Sequence, residues 1–230
     1  MDKENLNLLL NIPLFENISG EDVVSLLDCL QPRVRTYQKD EFIALVGDKV
    51  EGISIILEGR IEVLKENLLG QSVVVARFGR GAIFAEVAAF SKASIWPSSV
   101  RVIEDAKIMT ISTNHFTGQC AQGCSYHRQL MFNMLHILAD KALVLNRKVD
   151  FLSVKTIRGK IAAMIVEAVM AQRSSTVHLP YTRETMAKML NVARPSLSRT
   201  LVQMKEEGIL DFHRSQFTVL DEKRLKQELV

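Results

Sequence analysis

From Met131 to Leu152 the residues Met131, Leu135, Leu138, Ala142, Leu145, Val149 and Leu152 recur at alternating spacings of four and three. A 3.5-residue repeat held for three heptads predicts a long helix, about 126–152, with one apolar line facing a partner helix. The simpler reading lays that helix on the core of its own domain. Phe132, Met134 and Ile137 widen the apolar face enough for both: the seven-residue seam meets a second copy of the chain, and the flank rests on the domain before it. The expectation is a homodimer organised about this helix.

Upstream the pattern changes. A short helix opens at Ser19, with Asp22 three residues on, and runs to about Leu30 before Pro32 stops it. Then Ile53–Leu57, Ile61–Leu64, Val73–Phe78 and Val100–Ile111 form β-rich runs separated by Gly47-Asp48, Glu58-Gly59-Arg60, Gly70 and Gly79-Arg80-Gly81. Many short strands with regular turn signals predict an antiparallel barrel or sandwich. Downstream, Thr156–Ala171 is a further helix with Ile157, Ile161, Met164, Ile165 and Ala168 as its apolar positions. Lys155, Arg158 and Lys160 crowd its start, where cations oppose the helix dipole, so contact with phosphate is expected of them.

Residues 182–220 carry the most specific signal. Thr182 caps a helix to Leu190 whose inner face is Met186, Ala187 and Leu190. After the Asn191-Val192-Ala193 turn, Pro195 takes the place of a first helical residue and Gly208 that of a left-handed C-terminal cap. Leu197, Leu201 and Met204 form the buried stripe of this second helix; Ser196, Arg199 and Gln203 lie opposite. Two short helices joined by a tight turn, the second presenting arginine and small polar groups, predict a helix-turn-helix that reads a DNA major groove. Arginine can grip guanine O6 and N7 with two hydrogen bonds. Ile209–His213 and Gln216–Leu220 pair as a wing about Arg214-Ser215. Thr182, Arg183, Arg194, Ser196, Ser198, Arg199 and Gln203 are the candidate DNA contacts.

Charge distribution agrees. Residues 153–230 hold 13 Lys+Arg against 8 Asp+Glu, and residues 1–152 hold 16 against 18. A basic module therefore follows a mildly acidic one, and the domain boundary is placed at 152/153. No run of eighteen apolar residues spans a membrane, and the first fifteen residues lack a signal peptide's basic start, so a cytoplasmic protein is expected. Cys29, Cys120 and Cys124 are too few for a disulfide framework or an iron–sulfur cluster. Cys120, Cys124 and His127 form only a loose set of soft ligands, read as packed or idle. A cupin-like enzyme is the alternative class, but His115, His127, His136, His178 and His213 all lie outside the 33–111 strands, so no metal site is assigned.

Ile12-Pro13-Leu14-Phe15, Val46-Gly47-Asp48, Ile56-Leu57-Glu58-Gly59, Val100-Arg101-Val102-Ile103-Glu104-Asp105 and the segment Arg194–Gly208 occur in an order that resembles the cyclic-AMP receptor protein/FNR superfamily of bacterial transcription regulators. The resemblance covers almost the whole chain. It implies an α+β protein: an antiparallel β-roll of the cyclic-nucleotide-binding-like jelly-roll type in 1–152, ending in the dimerisation helix, then a winged helix-turn-helix in 153–230. It also implies palindromic double-stranded DNA and RNA polymerase as partners. Arg194 and Arg199 match the family's two operator-reading arginines, while Pro195 stands where a glutamate is frequent.

Cyclic-nucleotide binders of the family carry Gly-Glu-Leu and then Arg-Ser-Ala, whose arginine neutralises the cyclic phosphate. Here the corresponding residues are Ala85-Glu86-Val87 and Trp96-Pro97-Ser98, so cyclic AMP is not expected. The FNR-type iron–sulfur cluster is not expected either, since residues 1–28 contain no cysteine. Lys155–Lys160 and Arg194–Arg199 also resemble the HcpR-type branch, which implies heme as ligand and nitric oxide as signal in nitrosative stress. Phe84, Glu86, Trp96, Ser98 and Ser99, with His127, Met131 and Met134 from the start of the long helix, are the candidate effector pocket. The last three are the candidate heme ligands. The rival to heme is an apolar or aromatic small molecule between Phe84 and Trp96.

Overall fold

The computed structural model describes residues 3–66, 72–117 and 125–229. Gly70, Cys120 and Cys124 lie outside them. The chain divides into two compact units, Met1–Asp140 and Lys141–Val230.

In the first unit, α1 (Lys3–Leu10), a 3₁₀ turn (Pro13–Phe15) and α2 (Gly20–Leu30) precede the sheet. Ser19 caps α2: its hydroxyl accepts the Asp22 N–H at 3.2 Å, and Gln31 ends the helix at φ +44° just before Pro32. The strands are β1 (Arg33–Tyr37), β2 (Phe42–Ala44), β3 (Gly52–Glu66), β4 (Ser72–Gly79), β5 (Ile83–Phe84) and β6 (Ser99–Ser112). They pair antiparallel in the order β1-β6-β3-β4, with β2 on β6 and β5 on β3. A four-residue helix, α3 (Glu86–Ala89), follows β5, and α4 (Thr113–Thr117) follows β6. The central strands β3 and β6 are buried on both faces, whereas β1 and β4 are largely exposed. Ile53, Ile55 and Leu57 of β3, with Met109 and Ile111 of β6, enter a cluster with Leu9, Phe15, Leu26 and Phe116; Ile56, Ile61, Val100, Val102 and Ile108 enter a second cluster inside the roll. Successive strand residues point to opposite faces, so an almost continuous isoleucine run is what a doubly covered strand requires.

One turn expected from the sequence is corrected. Glu58-Gly59-Arg60 does not separate two strands; β3 runs through it, and its register on β6 shifts on either side of Gly59. Gly59 adopts φ +83°, and a Cβ there would lie 2.1 Å from the Asp105 carbonyl oxygen. Glycine marks a bulge and a close backbone approach rather than a reversal of the chain.

Helix α5 spans Ser125–Ser153 and bears the heptad residues. Leu130 and Met134 are buried in the first unit's core, with Ile137 and Leu138 packed against it, whereas Leu135, Leu145, Val149 and Leu152 are about half exposed or more. Phe132, assigned to the packed flank, is instead exposed. The division between units falls inside α5 rather than at 152/153. Phe151 is buried in the second unit's core and Arg147 pairs with Glu167 at 3.1 Å, so the last turns of the helix belong to that unit.

The second unit contains α6 (Ile157–Gln172), β7 (Thr176–His178), α7 (Arg183–Leu190), α8 (Arg194–Glu206), β8 (Leu210–His213), β9 (Gln216–Val219) and α9 (Glu222–Gln227). Its sheet has the order β7-β9-β8. The expected hairpin is present; β7 and α9 add a third strand and a closing helix that the sequence pattern did not disclose.

Candidate nucleic-acid interface and effector pocket

The helix-turn-helix is set by local chemistry. Thr182, extended at φ −70° and ψ 161°, accepts the Thr185 N–H at 3.1 Å and starts α7. Asn191 at φ +52° ends it, and the Val192 N–H returns to the Ala187 carbonyl at 3.0 Å. Alanine 193 precedes α8, so Arg194 is its first residue and Pro195 its second, one place later than expected; the proline's missing N–H is still harmless there. Leu197, Leu201 and Met204 are fully buried, joined by Thr200, whose hydroxyl donates to the Ser196 carbonyl. Arg194, Arg199 and Gln203 are exposed, and Ser196 and Ser198 partly so. At the far end Gly208 adopts φ +71°, the Gly208 N–H reaches the Lys205 carbonyl and the Ile209 N–H that of Met204.

The wing turns at Arg214, φ +54°. Arg183 holds it: the guanidinium lies 4.8 Å from the centre of Phe217 and 4.9 Å from that of Phe212, and it donates to the Arg214 carbonyl at 3.1 Å. Burial depresses its pKa, and the stacking keeps the cation in place. A groove of about 490 Å³ runs between the wing and the start of α7, lined by Thr182, Arg183, Arg214, Ser215 and His178. His178 Nε2 and the Ser215 hydroxyl are 2.8 Å apart. Sequence reasoning missed His178 because it lies on β7, a strand of three residues with no periodic signal.

Two of the three cations at the start of α6, Arg158 and Lys160, have a different role from the expected phosphate contact. Arg158 donates to both carboxylate oxygens of Glu207, each at 2.7 Å, and to both of Glu228, at 2.6 and 2.9 Å. Lys160 donates to the Leu190 carbonyl at 3.1 Å, the C-terminal end of α7. These charges complement the negative ends of α7 and α8 rather than burden their own helix.

The candidate effector residues are not gathered in one place. Phe84 is buried and its ring lies 6.2 Å from that of the half-buried Trp96, tilted by 39°, and Glu86, two residues on, is also buried. Ser98 and Ser99 line a cavity of about 490 Å³ with Phe42, Leu45, Val46 and Leu64. His127 is 6% exposed, with its Nε2 2.9 Å from the Phe116 carbonyl and its Nδ1 without a hydrogen-bond partner among the described residues. Met134 is core and Met131 is exposed. A polar cavity of about 650 Å³, lined among others by Arg33, Lys49, Glu51, Thr110 and His115, was not foreseen. Its walls come from scattered segments that share no motif. In the sheet, Glu62 is buried against Arg101 and Arg77 at 2.5 and 3.3 Å, and Arg101 above all holds its carboxyl below the usual carboxylate range.

A sheet-built domain followed by a winged helix-turn-helix is the architecture of a DNA-binding transcription regulator with an effector-binding type of domain. Residues 34–122 match the cyclic nucleotide-binding domain and residues 159–228 the Crp-like helix-turn-helix domain. The chain is 22% identical over 186 residues to the cAMP-activated global transcriptional regulator Vfr of Pseudomonas aeruginosa, covering 76% of this chain and 84% of that one. It is 21% identical over 198 residues to the cyclic AMP receptor protein of Thermus thermophilus, covering 86% and 88%. Its fold is similar to the crystal structure of the Thermus thermophilus catabolite activator protein: TM-score 0.54 at 19% identity, covering 94% and 98%. The chain belongs to the Crp/FNR family of transcription regulators, which are not enzymes. Among the described residues no helix is long and apolar enough to cross a membrane.

Proposed function

We propose that this chain is a cytoplasmic homodimer that binds palindromic DNA under the control of a small effector held in its first unit. The observation that carries the reading is the two-sidedness of α8: a fully buried Leu197–Leu201–Met204 stripe opposite exposed Arg194, Arg199 and Gln203. Among the described residues no carboxylate pairs with Arg199, which leaves its donors available to a base edge. Thr182, Arg183, Ser196 and Ser198 supply further hydrogen bonds, chiefly to phosphates. Pro195 offers no carboxylate, so cytosine recognition at that position is replaced.

The exposed α5 residues Met131, Leu135, Ala142, Leu145, Val149 and Leu152, with the half-buried Leu138, form the seam between two copies. Two recognition helices then reach half-sites one DNA turn, about 34 Å, apart. Effector binding shifts an equilibrium between two arrangements of the pair and works only by favouring one of them. RNA polymerase reads the bound state.

The packing does not favour heme. His127 commits Nε2–H to the Phe116 carbonyl inside the core, Met134 is core, and Phe84 packs against Trp96 in a separate core cluster. Nor does Trp96-Pro97-Ser98 supply the cation a cyclic phosphate needs. The cavity beside Ser98 and Ser99 is the better candidate: Phe42, Leu45, Val46 and Leu64 offer apolar contact while Lys65, Glu66 and Ser72 offer polar contact, which suits a small effector carrying both apolar and polar groups. Selecting bound genomic fragments with the purified protein tests the central reading. Enrichment of a palindrome that Arg199→Ala no longer selects is expected; fragments enriched without any shared sequence would refute it. Hemin titration tests the effector reading, with no Soret shift expected.

A further inference from the structure

We infer that Arg158 is a positioning residue for operator reading: it ties the C-terminal end of the recognition helix α8 to the terminal helix α9 and so fixes the angle at which Arg194 and Arg199 meet DNA. The inference rests on the reading of α8 as the recognition helix.

One guanidinium makes four hydrogen bonds here. Nη1 and Nη2 each meet a Glu207 oxygen at 2.7 Å, while Nε and Nη2 meet the two Glu228 oxygens at 2.9 and 2.6 Å. Glu207 is the residue that caps α8. A second arginine closes the cluster, because Arg224 of α9 donates to the Glu207 carbonyl at 2.7 Å and approaches its carboxylate at 3.4 Å. Two guanidinium groups therefore balance two carboxylates around the end of one helix. Glu207 is held below the ordinary carboxylate range, first of all by the Arg158 hydrogen bonds, so the cluster keeps its charges at neutral pH.

A separate observation shows how closely the chain end is seated. A Cβ at Gly159, the next residue of α6, would lie 2.5 Å from the Glu228 carbonyl oxygen. Leu225 of α9 is buried in the second unit's core, and the Asp221 side chain caps α9 by accepting the Arg224 N–H at 3.0 Å. The start of α6, the end of α8 and the end of α9 thus meet at one point, with a planar, bidentate group that lysine cannot reproduce.

Geometry gives this point leverage. Glu207 lies eight residues beyond Arg199, about 12 Å along a helix. A tilt of about 5° around Glu207 moves Arg199 by roughly 1 Å, and a two-hydrogen-bond grip on a base edge does not survive that error. Non-specific attraction to phosphates depends on charge rather than angle and does survive it.

The test compares affinity for the selected operator with affinity for a scrambled duplex of equal length at one fixed salt concentration, using the full chain. Arg158→Gln is expected to lower operator affinity roughly three- to thirtyfold, the range seen when a coupling network is cut. Scrambled-duplex affinity and thermal melting above the assay temperature are retained, and Arg158→Lys recovers part of the discrimination. Glu228→Gln, which leaves the Arg158–Glu207 pair in place, is expected to show a smaller loss of the same kind and serves if Arg158→Gln does not fold. Equal discrimination by wild type and both Gln variants overturns the clamp alone, as does a loss shared equally by both duplexes. A wild type without any operator preference overturns the recognition-helix reading, and the clamp with it.

Discussion

Replacing Gly59 with alanine separates a bulge inside a strand from an ordinary turn. Gly47 is the control. Both residues have positive φ, +90° at Gly47 and +83° at Gly59, so each substitution incurs the left-handed penalty of about 1–2 kcal/mol. They differ in what the new methyl meets. A Cβ at Gly47 would meet no atom of the described residues within 4 Å beyond its chain neighbours; at Gly59 the Cβ falls 2.1 Å from the Asp105 carbonyl oxygen and 2.7 Å from the Ala106 Cα. Those are backbone atoms of β6 and cannot swing away, so relief requires parting β3 from β6 where the register already shifts. Overpacking of this kind costs about 1–3 kcal/mol, and each ladder hydrogen bond lost adds about 1 kcal/mol. Gly59→Ala is therefore expected to cost about 3–6 kcal/mol and Gly47→Ala about 1–2, against a typical total of 5–15 kcal/mol. Urea unfolding followed by the fluorescence of Trp96, the only tryptophan, reports the first unit, since that ring packs against both of its core clusters. Equal midpoints for the two variants would refute the bulge, because an exposed turn at 58–60 treats both glycines alike.

Three other outcomes are expected. Arg199→Ala should weaken operator binding by about 1–3 kcal/mol and relax the preference at one base pair, without altering the melting temperature; an unchanged footprint removes Arg199 from the reading face. Leu145→Asp, at a site 62% exposed in the single chain, should leave folding intact but yield monomers in sedimentation and abolish tight operator binding, so a DNA-binding dimer of this variant overturns the α5 seam. Glu62 is the acid-sensitive group of the sheet. Its pKa is lowered, so its contribution is present above the unfolded carboxylate range and is lost as pH falls through the lower folded value. Stability of the first unit should drop below about pH 4, and Glu62→Gln should flatten that slope; an identical acid profile for the variant assigns the drop to other carboxylates.

Features set within one turn of chain were legible in the sequence, and features set by distant partners were not. Ser19, Thr182 and Gly208 act on residues two to four positions away, and each sits where its chemistry predicts. The heptad line is equally local, since α5 needs only its own periodicity to place those side chains along one edge. Gly59 misled because a tight turn and a bulge make the same demand for positive φ, and only the pairing with β6 distinguishes them. Arg158 misled for a related reason. A cation in the first turn of a helix does oppose that helix's dipole, but the carboxylates that answer it lie 49 and 70 residues further on.

The effector site is the least legible part, and the cassette around Ala85 explains why. Ala85 adopts φ +70° in the position that the resemblance gives to glycine, so the left-handed turn persists although alanine disfavours it. The arginine that the resemblance assigns to the cyclic phosphate has no counterpart: Trp96 stands in its place, with its ring 6.2 Å from that of Phe84. Backbone shape is held by many small contacts along β3 and β6, whereas ligand chemistry depends on a few side chains that can change without disturbing the sheet. A family match therefore transfers the roll, the long helix and the winged domain. Under the proposed function, the bound molecule is recognised instead by the side chains lining the cavity beside Ser98 and Ser99, apolar Phe42 and Leu64 and polar Lys65 and Glu66 among them.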